Sequence, residues 1–370
     1  LVEHFDAICT LLVAEFFAGV GLVRKAIEND GVFRVAFAND IEEKKERLYR
    51  RNFGDAAGFR LADIRRLHGK DVPTVDVATA SFPCTDLSLA GNRKGLKGEQ
   101  SGTFHEFARI LEEMDARRPA AVLLENVVGF ATSHGGADLR AVIARLNGLG
   151  YVCDLFSIDA RHFVPQSRPR VFIVGSRPAA ALPLGTWDSS SVRPKWIEKF
   201  VLASPKLQVR PACLPDPPVP ASTLAQIVER ISPNDERWWD EHREKRFLAT
   251  LPPLHRARLE KLKRSRTRAW ATAYRRTRLG HAVWEIRDDA ISGCLRTTRG
   301  GSSRQALVEA CRGQVRVRWM TAREYARLQG WADFAFNVNQ ENEAMFALGD
   351  AVCVPVLAWI AREYLAPLFA

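Results

Sequence analysis

Val75-Asp76-Val77-Ala78-Thr79-Ala80 runs straight into Ser81-Phe82-Pro83-Cys84, and Ala120-Ala121-Val122-Leu123-Leu124 runs straight into Glu125-Asn126-Val127. Each apolar run has the length and composition of a buried strand. As parallel neighbours, two such strands deliver a thiol and a carboxyl to one edge of a sheet. That carboxyl-terminal edge is where open α/β sheets bind ligands. Pro83 fixes the turn before Cys84, and a carboxyl beside a thiol can manage protons. The two segments point to covalent catalysis.

The flanking sequence extends the same pattern. Ile8–Phe17 and Val32–Ala38 read as strands, followed by helical stretches at Leu22–Asn29 and Glu42–Asn52. Helices are expected over Phe104–Arg117 and Leu139–Leu149, and further strands over Tyr151–Ile158 and Val171–Gly175. Strands alternating with helices imply an α/β fold with a doubly wound, mainly parallel sheet. After Gly175 the pattern breaks, and 178–220 is rich in proline, which reads as a crossing into a second domain. A Gly/Ser/Arg loop follows at Thr297–Ser303, a helical pattern at Trp319–Gln329, and a loop with an apolar helix at Ala347–Leu365. The expected division is a catalytic domain over 1–177, completed by 338–370, and a smaller domain over 178–337.

The 370 residues are 46% hydrophobic and 26% charged, an ordinary balance for a globular chain. The seven cysteines form no CxxC pair, so neither a disulfide framework nor a metal site is expected. No apolar run of about 18 residues and no secretory signal is evident, so a cytoplasmic, non-membrane protein is expected. The net charge of +11 is concentrated. Between Glu241 and Arg278 lie thirteen Lys or Arg and only three acids, the footprint of a polyanion-binding surface. A solvated helical face is the alternative. Trp238, Trp239, Trp270 and Tyr274 among these charges read as core or hinge residues rather than stacking platforms.

Phe17-Ala18-Gly19-Val20-Gly21 joins the first strand to its helix, where glycines let a ligand approach the backbone. Arg24 stands where the dinucleotide fingerprint has its third glycine, which counts against a pyrophosphate. Asp40 ends the second strand, a position from which an acid commonly accepts ribose hydroxyls, although a helix cap would also suit it. Asp63 and Ile64 end another extended piece and are candidates to meet an adenine edge. A nucleoside cofactor without a second phosphate fits better than NAD. A free thiol at Cys84 is only a few per cent ionised at neutral pH, and Arg168 and Arg170 are candidates to activate it.

These pieces, in this order, resemble the DNA cytosine-5 methyltransferases over nearly the whole chain. FAGVG (17–21), ND (39–40), ADI (62–64), SFPC (81–84), ENV (125–127), QSRPR (166–170), TARE (321–324) with RLQG (327–330), and GDAV (349–352) carry the resemblance. It implies a Rossmann-like S-adenosylmethionine domain with a smaller target-recognition domain. Phe17 to Gly21, Asp40, Ile41, Asp63, Ile64, Pro83, Asp350 and Ala351 would hold the cofactor. Cys84 would be the nucleophile, Glu125 the acid on the target base, and Arg168 and Arg170 would contact the base and reaction centre. Arg264, Arg266, Arg296, Arg299, Ser303 and Arg304 are the expected contacts to double-stranded DNA.

Three positions depart from the family pattern. Asp350-Ala351 replaces the usual Asn-Ser, Ile41 replaces an aromatic residue that stacks on adenine, and Thr85 replaces a Gln. The implied activity is methyl transfer to C5 of a flipped-out cytosine through a Cys84 adduct at C6. Gly91–Gly102 is the expected loop closing over that base. The expected protein is a monomer recognising a short site, as in restriction–modification systems that pair it with an endonuclease. The alternatives are a tRNA cytosine-5 methyltransferase and a catalytically silent DNA-binding homologue. The large basic segment favours DNA.

Overall fold

The computed structural model describes residues 10–54, 58–83, 102–177, 182–297 and 303–370. Cys84, Thr85, the Gly91–Ser101 part of the expected loop, and Arg299 lie outside the described residues. The chain divides into two units. The first comprises residues 1–158, 169–217 and 356–370, and the second 159–168 and 218–355.

The first unit is built on β1 (Leu11–Phe16), β2 (Phe33–Asp40), β3 (Phe59–Leu61), β4 (Val77–Ala80), β5 (Ala121–Val127), β6 (Val152–Asp159) and β7 (Pro169–Ser176). Their order is β3-β2-β1-β4-β5-β7-β6. Pairing is parallel from β3 across to β5, while β7 runs antiparallel to β5. The order reverses between β1 and β4, the switch point where such sheets open a crevice. Every residue of β4 is buried, as expected of a strand covered on both faces. α1 (Leu22–Ile27), α2 (Glu43–Phe53), α3 (Thr103–Glu113), α4 (Val128–Thr132) and α5 (Ala137–Gly148) flank the sheet. In α3, Phe104, Phe107, Ala108, Ile110 and Leu111 are buried at helical spacing and join Ala14, Phe16, Ala78 and Leu124 in one core.

The proline-rich stretch belongs largely to this unit, and the boundary falls at 217/218 rather than 177/178. The reason is a buried ion pair. Asp154 on β6 is 1% exposed, and Arg193 donates to it at 2.8 Å while the Ala212 N–H adds a second bond at 2.9 Å. Ile197 and Phe200 of α6 (Lys195–Leu202) then enter the same core.

The second unit contains α7 (Leu224–Ile227), α8 (Glu241–Ala249) and α9 (Pro253–Lys263) beside an antiparallel sheet. The strands are β8 (Ala269–Arg278), β9 (His281–Ile286), β10 (Ala306–Cys311) and β11 (Gln314–Trp319), in the order β11-β10-β8-β9. Trp239, Phe247, Leu259, Trp284 and Val317 form its core, so Trp239 is a core residue as expected. α10 (Ala322–Leu328) starts with a capping box between Thr321 and Glu324. The same Glu324 neutralises Arg318 at 2.9 Å, with both side chains fully buried. α11 (Glu341–Asp350) and α12 (Val354–Ile360) lead to the C-terminal end. Val338–Leu368 contains an 18-residue window apolar enough to cross a membrane, contrary to the sequence reading. However, 72% of it is buried inside the protein, as in a core helix.

β1 places Ala14 and Phe16 in the core, and Glu15 on the opposite face is fully buried. Among the described residues no side chain hydrogen-bonds its carboxyl oxygens, and the backbone N–H of Arg24 interacts with them only weakly. Burial pushes this carboxyl up to about 8, and the charge of Arg24 only partly offsets the effect. Between its ordinary value near 4.5 and about 8, the folded state holds a proton that the unfolded chain has released, so stability falls as pH rises through this window. Glu15→Gln is therefore expected to match wild type near pH 5 and to exceed it at pH 8 by up to about 5 kcal/mol. Denaturant unfolding at pH 5, 6.5 and 8 checks this, and parallel pH profiles for the two proteins would refute it.

Candidate active site

The loops after β1, β2 and β3 are laced together at one edge of the sheet. Phe17 and Gly19 both have φ of +57°, and Gly21 has +84°, so the chain turns sharply out of β1. The Ala18 N–H donates to the Asn39 carbonyl at 2.8 Å, and the Gly19 N–H to Asp40 Oδ2 at 2.8 Å. Asp40 Oδ1 accepts the Glu42 N–H at 2.9 Å, so this one carboxylate fixes both the glycine turn and the entry to α2. Asn39 donates to the carbonyls of Arg60 and Ala62, which positions the segment holding Asp63. Asp63 accepts the Arg65 N–H and caps a short 3-10 turn, with Ile64 buried beneath it.

The two glycines answer different demands. A Cβ on Gly21 would stand 2.3 Å from Phe53 and 2.8 Å from Tyr49, so this position is required by packing against α2. A Cβ on Gly19 would meet nothing within 4 Å, which leaves its face of the turn open to a ligand. Ile41 is 63% exposed and offers an aliphatic surface beside Asp40.

The segment between β4 and Cys84 is held from β5. Asn126 is buried, and its amide donates to the Phe82 carbonyl at 3.2 Å, next to Pro83. Phe82 packs between Phe104 and Phe130. β5 extends through Glu125, Asn126 and Val127, so the carboxyl is part of the strand rather than of the loop beyond it. Val127 pairs with Arg170 across the antiparallel β5–β7 ladder, and Arg170 Nε contacts Glu125 Oε1 at 2.9 Å. The two side chains are 14% and 12% exposed, which makes this a largely desolvated ion pair at the edge.

Arg168, in the second unit, is placed differently from Arg170. It is 2% exposed, and its guanidinium is engaged by backbone carbonyls. It donates to the carbonyls of Leu295 at 3.0 Å, Gly349 at 3.5 Å and Asp350 at 3.3 Å, and to that of Ala351. Arg168 thus shapes the loop carrying Asp350 and Ala351. Gln166 works beside it, donating to the Leu328 carbonyl and accepting the Leu295 N–H. A Cβ on Gly349 would lie 2.2 Å from the Arg296 carbonyl, so this loop also needs its glycine.

Among the expected DNA contacts, Arg264, Arg266 and Arg296 are exposed. Ser303 is half-buried, and Arg304 donates to the Met320 carbonyl and lies 5.4 Å from the Trp319 ring centre. Asn126 and Glu15 were not singled out in the sequence. Asn126 was legible as the middle of ENV, whereas Glu15 lay inside an apolar run with no spacing signal.

The chain is similar to known methyltransferases. Type II methyltransferase M1.ScrFI of Lactococcus lactis subsp. cremoris is 26% identical over 352 residues, 95% of this chain and 77% of that protein. Type II methyltransferase M.Bsp6I of Bacillus sp. strain RFL6 is 34% identical over 169 residues, 45% of this chain. That alignment spans 52% of M.Bsp6I, about half its length. The fold is similar to that of a Spodoptera frugiperda DNMT2 mutant, with TM-score 0.63 and 18% identity over 98% of this chain and 100% of the other. S. pombe Dnmt2 methyltransferase gives TM-score 0.62 and 17% identity over 97% and 99%. The model of C-5 cytosine-specific DNA methylases, whose methyl donor is S-adenosylmethionine, matches residues 11–366, and the chain belongs to that family.

Proposed function

We propose that this chain is a DNA cytosine-5 methyltransferase that acts in the cytoplasm on a short duplex sequence. The observation that carries the reading is the Glu125–Arg170 ion pair on adjoining strands, with Asn126 tethering the segment that leads into Pro83-Cys84. The glycine turn fits S-adenosylmethionine, because Gly19 leaves one face open while Asp40 fixes its backbone. Phe17 to Gly21, Asp40, Ile41, Asp63, Ile64 and Pro83 would hold it. When bound, it supplies an electrophilic methyl group.

The chain's own residues make the base reactive. C5 of cytosine is a poor nucleophile. The Cys84 thiolate adds to C6, forming an S–C bond, while Glu125 donates a proton to N3, so the ring's electrons become available at C5. Arg170 holds the Glu125 carboxyl in place and offers hydrogen bonds to the base. After methylation, N3 returns its proton to Glu125, and loss of the C5 proton to a solvent base restores the C5–C6 double bond as the S–C6 bond breaks and the thiolate leaves. Addition requires an unstacked base, so the nucleotide is flipped from the duplex. Arg168 is a positioning residue for the 349–351 loop.

Incubation of the protein with S-adenosylmethionine and a random-sequence duplex pool, read by bisulfite sequencing, tests the assignment. A tRNA pool is the parallel arm. Methylation confined to duplex DNA supports the proposal, whereas methylation confined to tRNA, or none at all, overturns it.

Cys84→Ser is expected to abolish transfer while retaining DNA and cofactor binding, because a serine hydroxyl is far less ionised than a thiol. DNA carrying 5-fluorocytosine should trap a covalent complex with wild type only, seen as a band shift under denaturing conditions. A trapped, active Ser variant would remove Cys84 from the mechanism.

Glu125→Gln should lower turnover by roughly two to four orders of magnitude with little change in DNA affinity, because the amide cannot release a proton. Arg170→Lys keeps the charge but loses the planar fork, and should lower turnover less than Glu125→Gln does. Single-turnover rates distinguish these outcomes, and an unchanged rate for Glu125→Gln would make the pair purely structural.

A further inference from the structure

Behind the glycine turn, α1, α2, β2 and β3 enclose a cavity of about 280 Å³. Its walls come from Arg24 of α1, residues 34–38 of β2, Tyr49 and Phe53 of α2, and Gly58 and Phe59 where β3 begins. The β2 wall ends two residues before Asp40, so the cavity lies along the body of the strand, away from the edge assigned to the cofactor. Tyr49 is fully buried, and its ring centre lies 4.9 Å from that of Phe53 and 4.7 Å from that of Phe59. Three packed rings therefore line one small space.

Two guanidiniums give the cavity its charge. Arg24 donates from Nε to Glu28 at 3.0 Å and from Nη1 to the Tyr49 hydroxyl at 3.5 Å, and its guanidinium lies 4.5 Å from the Phe53 ring centre. Glu28 also accepts the Val35 N–H at 2.8 Å, so it fixes Arg24 against the β2 wall. Glu15, whose carboxyl also feels Arg24, is protonated at neutral pH and adds no negative charge here. Arg34 is exposed and forms no ion pair among the described residues. Two cations thus share the carboxylate of Glu28, which leaves positive charge in excess beside the rings.

We propose that this cavity is an effector site for a planar aromatic carboxylate of one or two fused rings, and that its occupation tightens cofactor binding. A guanidinium and a carboxylate match as a two-pronged pair, and aromatic walls accept a flat ring by stacking. A volume of about 280 Å³ stands at the small end of ligand pockets, which suits so small a ring system. The coupling follows from shared side chains. Tyr49 and Phe53 are the residues that a Cβ on Gly21 would strike, so the surface supporting the glycine turn is also a wall of the cavity. An occupant held by rings and guanidinium fixes those rings, and the cofactor then meets a turn already ordered. The coupling rests on the glycine turn as the seat of S-adenosylmethionine, whereas binding of the acid does not.

Calorimetric titration of the full chain with 2-naphthoate, and with 2-naphthamide as its neutral match, tests the site without DNA or cofactor. The acid should bind about tenfold or more tighter than the amide, the worth of a hydrogen bond between charged groups. Arg24→Gln should bring acid and amide close to parity. Arg34→Ala should weaken the acid by up to about fivefold, the range of an exposed ion pair, and leave the amide unchanged. Arg34 is exposed, so this variant keeps the fold even where Arg24→Gln lowers Tm. With saturating 2-naphthoate the Kd of S-adenosylmethionine should fall by about fivefold or more, and the Kd of 2-naphthoate should fall by the same factor when the cofactor is bound. Equal binding of acid and amide by wild type, no binding of either, or an acid affinity that neither substitution changes would overturn the site. Acid binding that leaves the cofactor Kd unchanged would overturn the effector role. A chain that binds 2-naphthoate but no S-adenosylmethionine would overturn the methyltransferase reading and the effector role with it, while the site itself stands.

Discussion

The site depends on one strand running against the others. Val127 at the end of β5 stands opposite Arg170 at the start of β7. Glu125 is two residues from Val127 and therefore on the same face, placing Arg170 diagonally across from it, within reach of two long side chains. A parallel β7 would bring its last residues, not its first, to this edge. A slip of one residue would turn Arg170 to the other face. A carboxylate only 12% exposed needs a cation nearby, and the antiparallel ladder provides one without recourse to a flexible loop. Asn126, alternating to the opposite face, is then free to reach the Phe82 carbonyl. One strand end thus orients both the acid and the approach to Cys84.

The neighbouring edge uses polar groups in a similarly compact way. Asp40 has its two oxygens on two backbone N–H groups, one from the glycine turn and one from the entry to α2. It therefore fixes the glycine turn and the approach to α2, whose N-cap is Glu42. Glu15 lies only two residues before Phe17, yet among the described residues no side chain hydrogen-bonds its enclosed carboxyl. The contrast separates the groups that shape the turn from one that burial keeps protonated at neutral pH.

What was legible followed from the range of the interactions. β1, β2, β4 and β5 are mostly apolar and largely buried runs, broken only by residues such as Glu15, Arg34 and Thr79, so local composition identified them along with the loops at their ends. The short β3 was visible only as an extended piece before Asp63. The placement of 182–217 was not legible, because it depends on Asp154 meeting Arg193 and Ala212, contacts between distant segments that leave no periodic trace. The two arginines of QSRPR look equivalent in sequence. Arg170 lies within β7, whereas Arg168 precedes it and is drawn to the carbonyls around Gly349. Strand β8 was obscured for another reason, since its first half is buried and its second half is an exposed, charged ribbon with no single pattern.

Charge density along the chain is also an incomplete guide to which basic side chains are available to a polyanion. Of the basic side chains from 241 to 278, Lys245 pairs with Glu241, Arg258 with Asp288, Lys263 with Glu260 and Arg278 with Glu285. Arg243 lies 4.4 Å from the Trp239 ring centre and 5.1 Å from that of Trp319, the ring that Arg304 also approaches. Such stacking lets a guanidinium cover apolar surface while remaining charged. Burial lowers both Arg243 and Arg304 from their ordinary value, and like-charge repulsion from Arg246 and Arg304 adds to the effect on Arg243. Part of the basic segment therefore builds the second unit, and its net excess is expressed where no acid shares the strand or turn. By that criterion the exposed Arg264 and Arg266 beyond α9, and Arg275 and Arg276 of β8, are where the field is free to act on a polyanion.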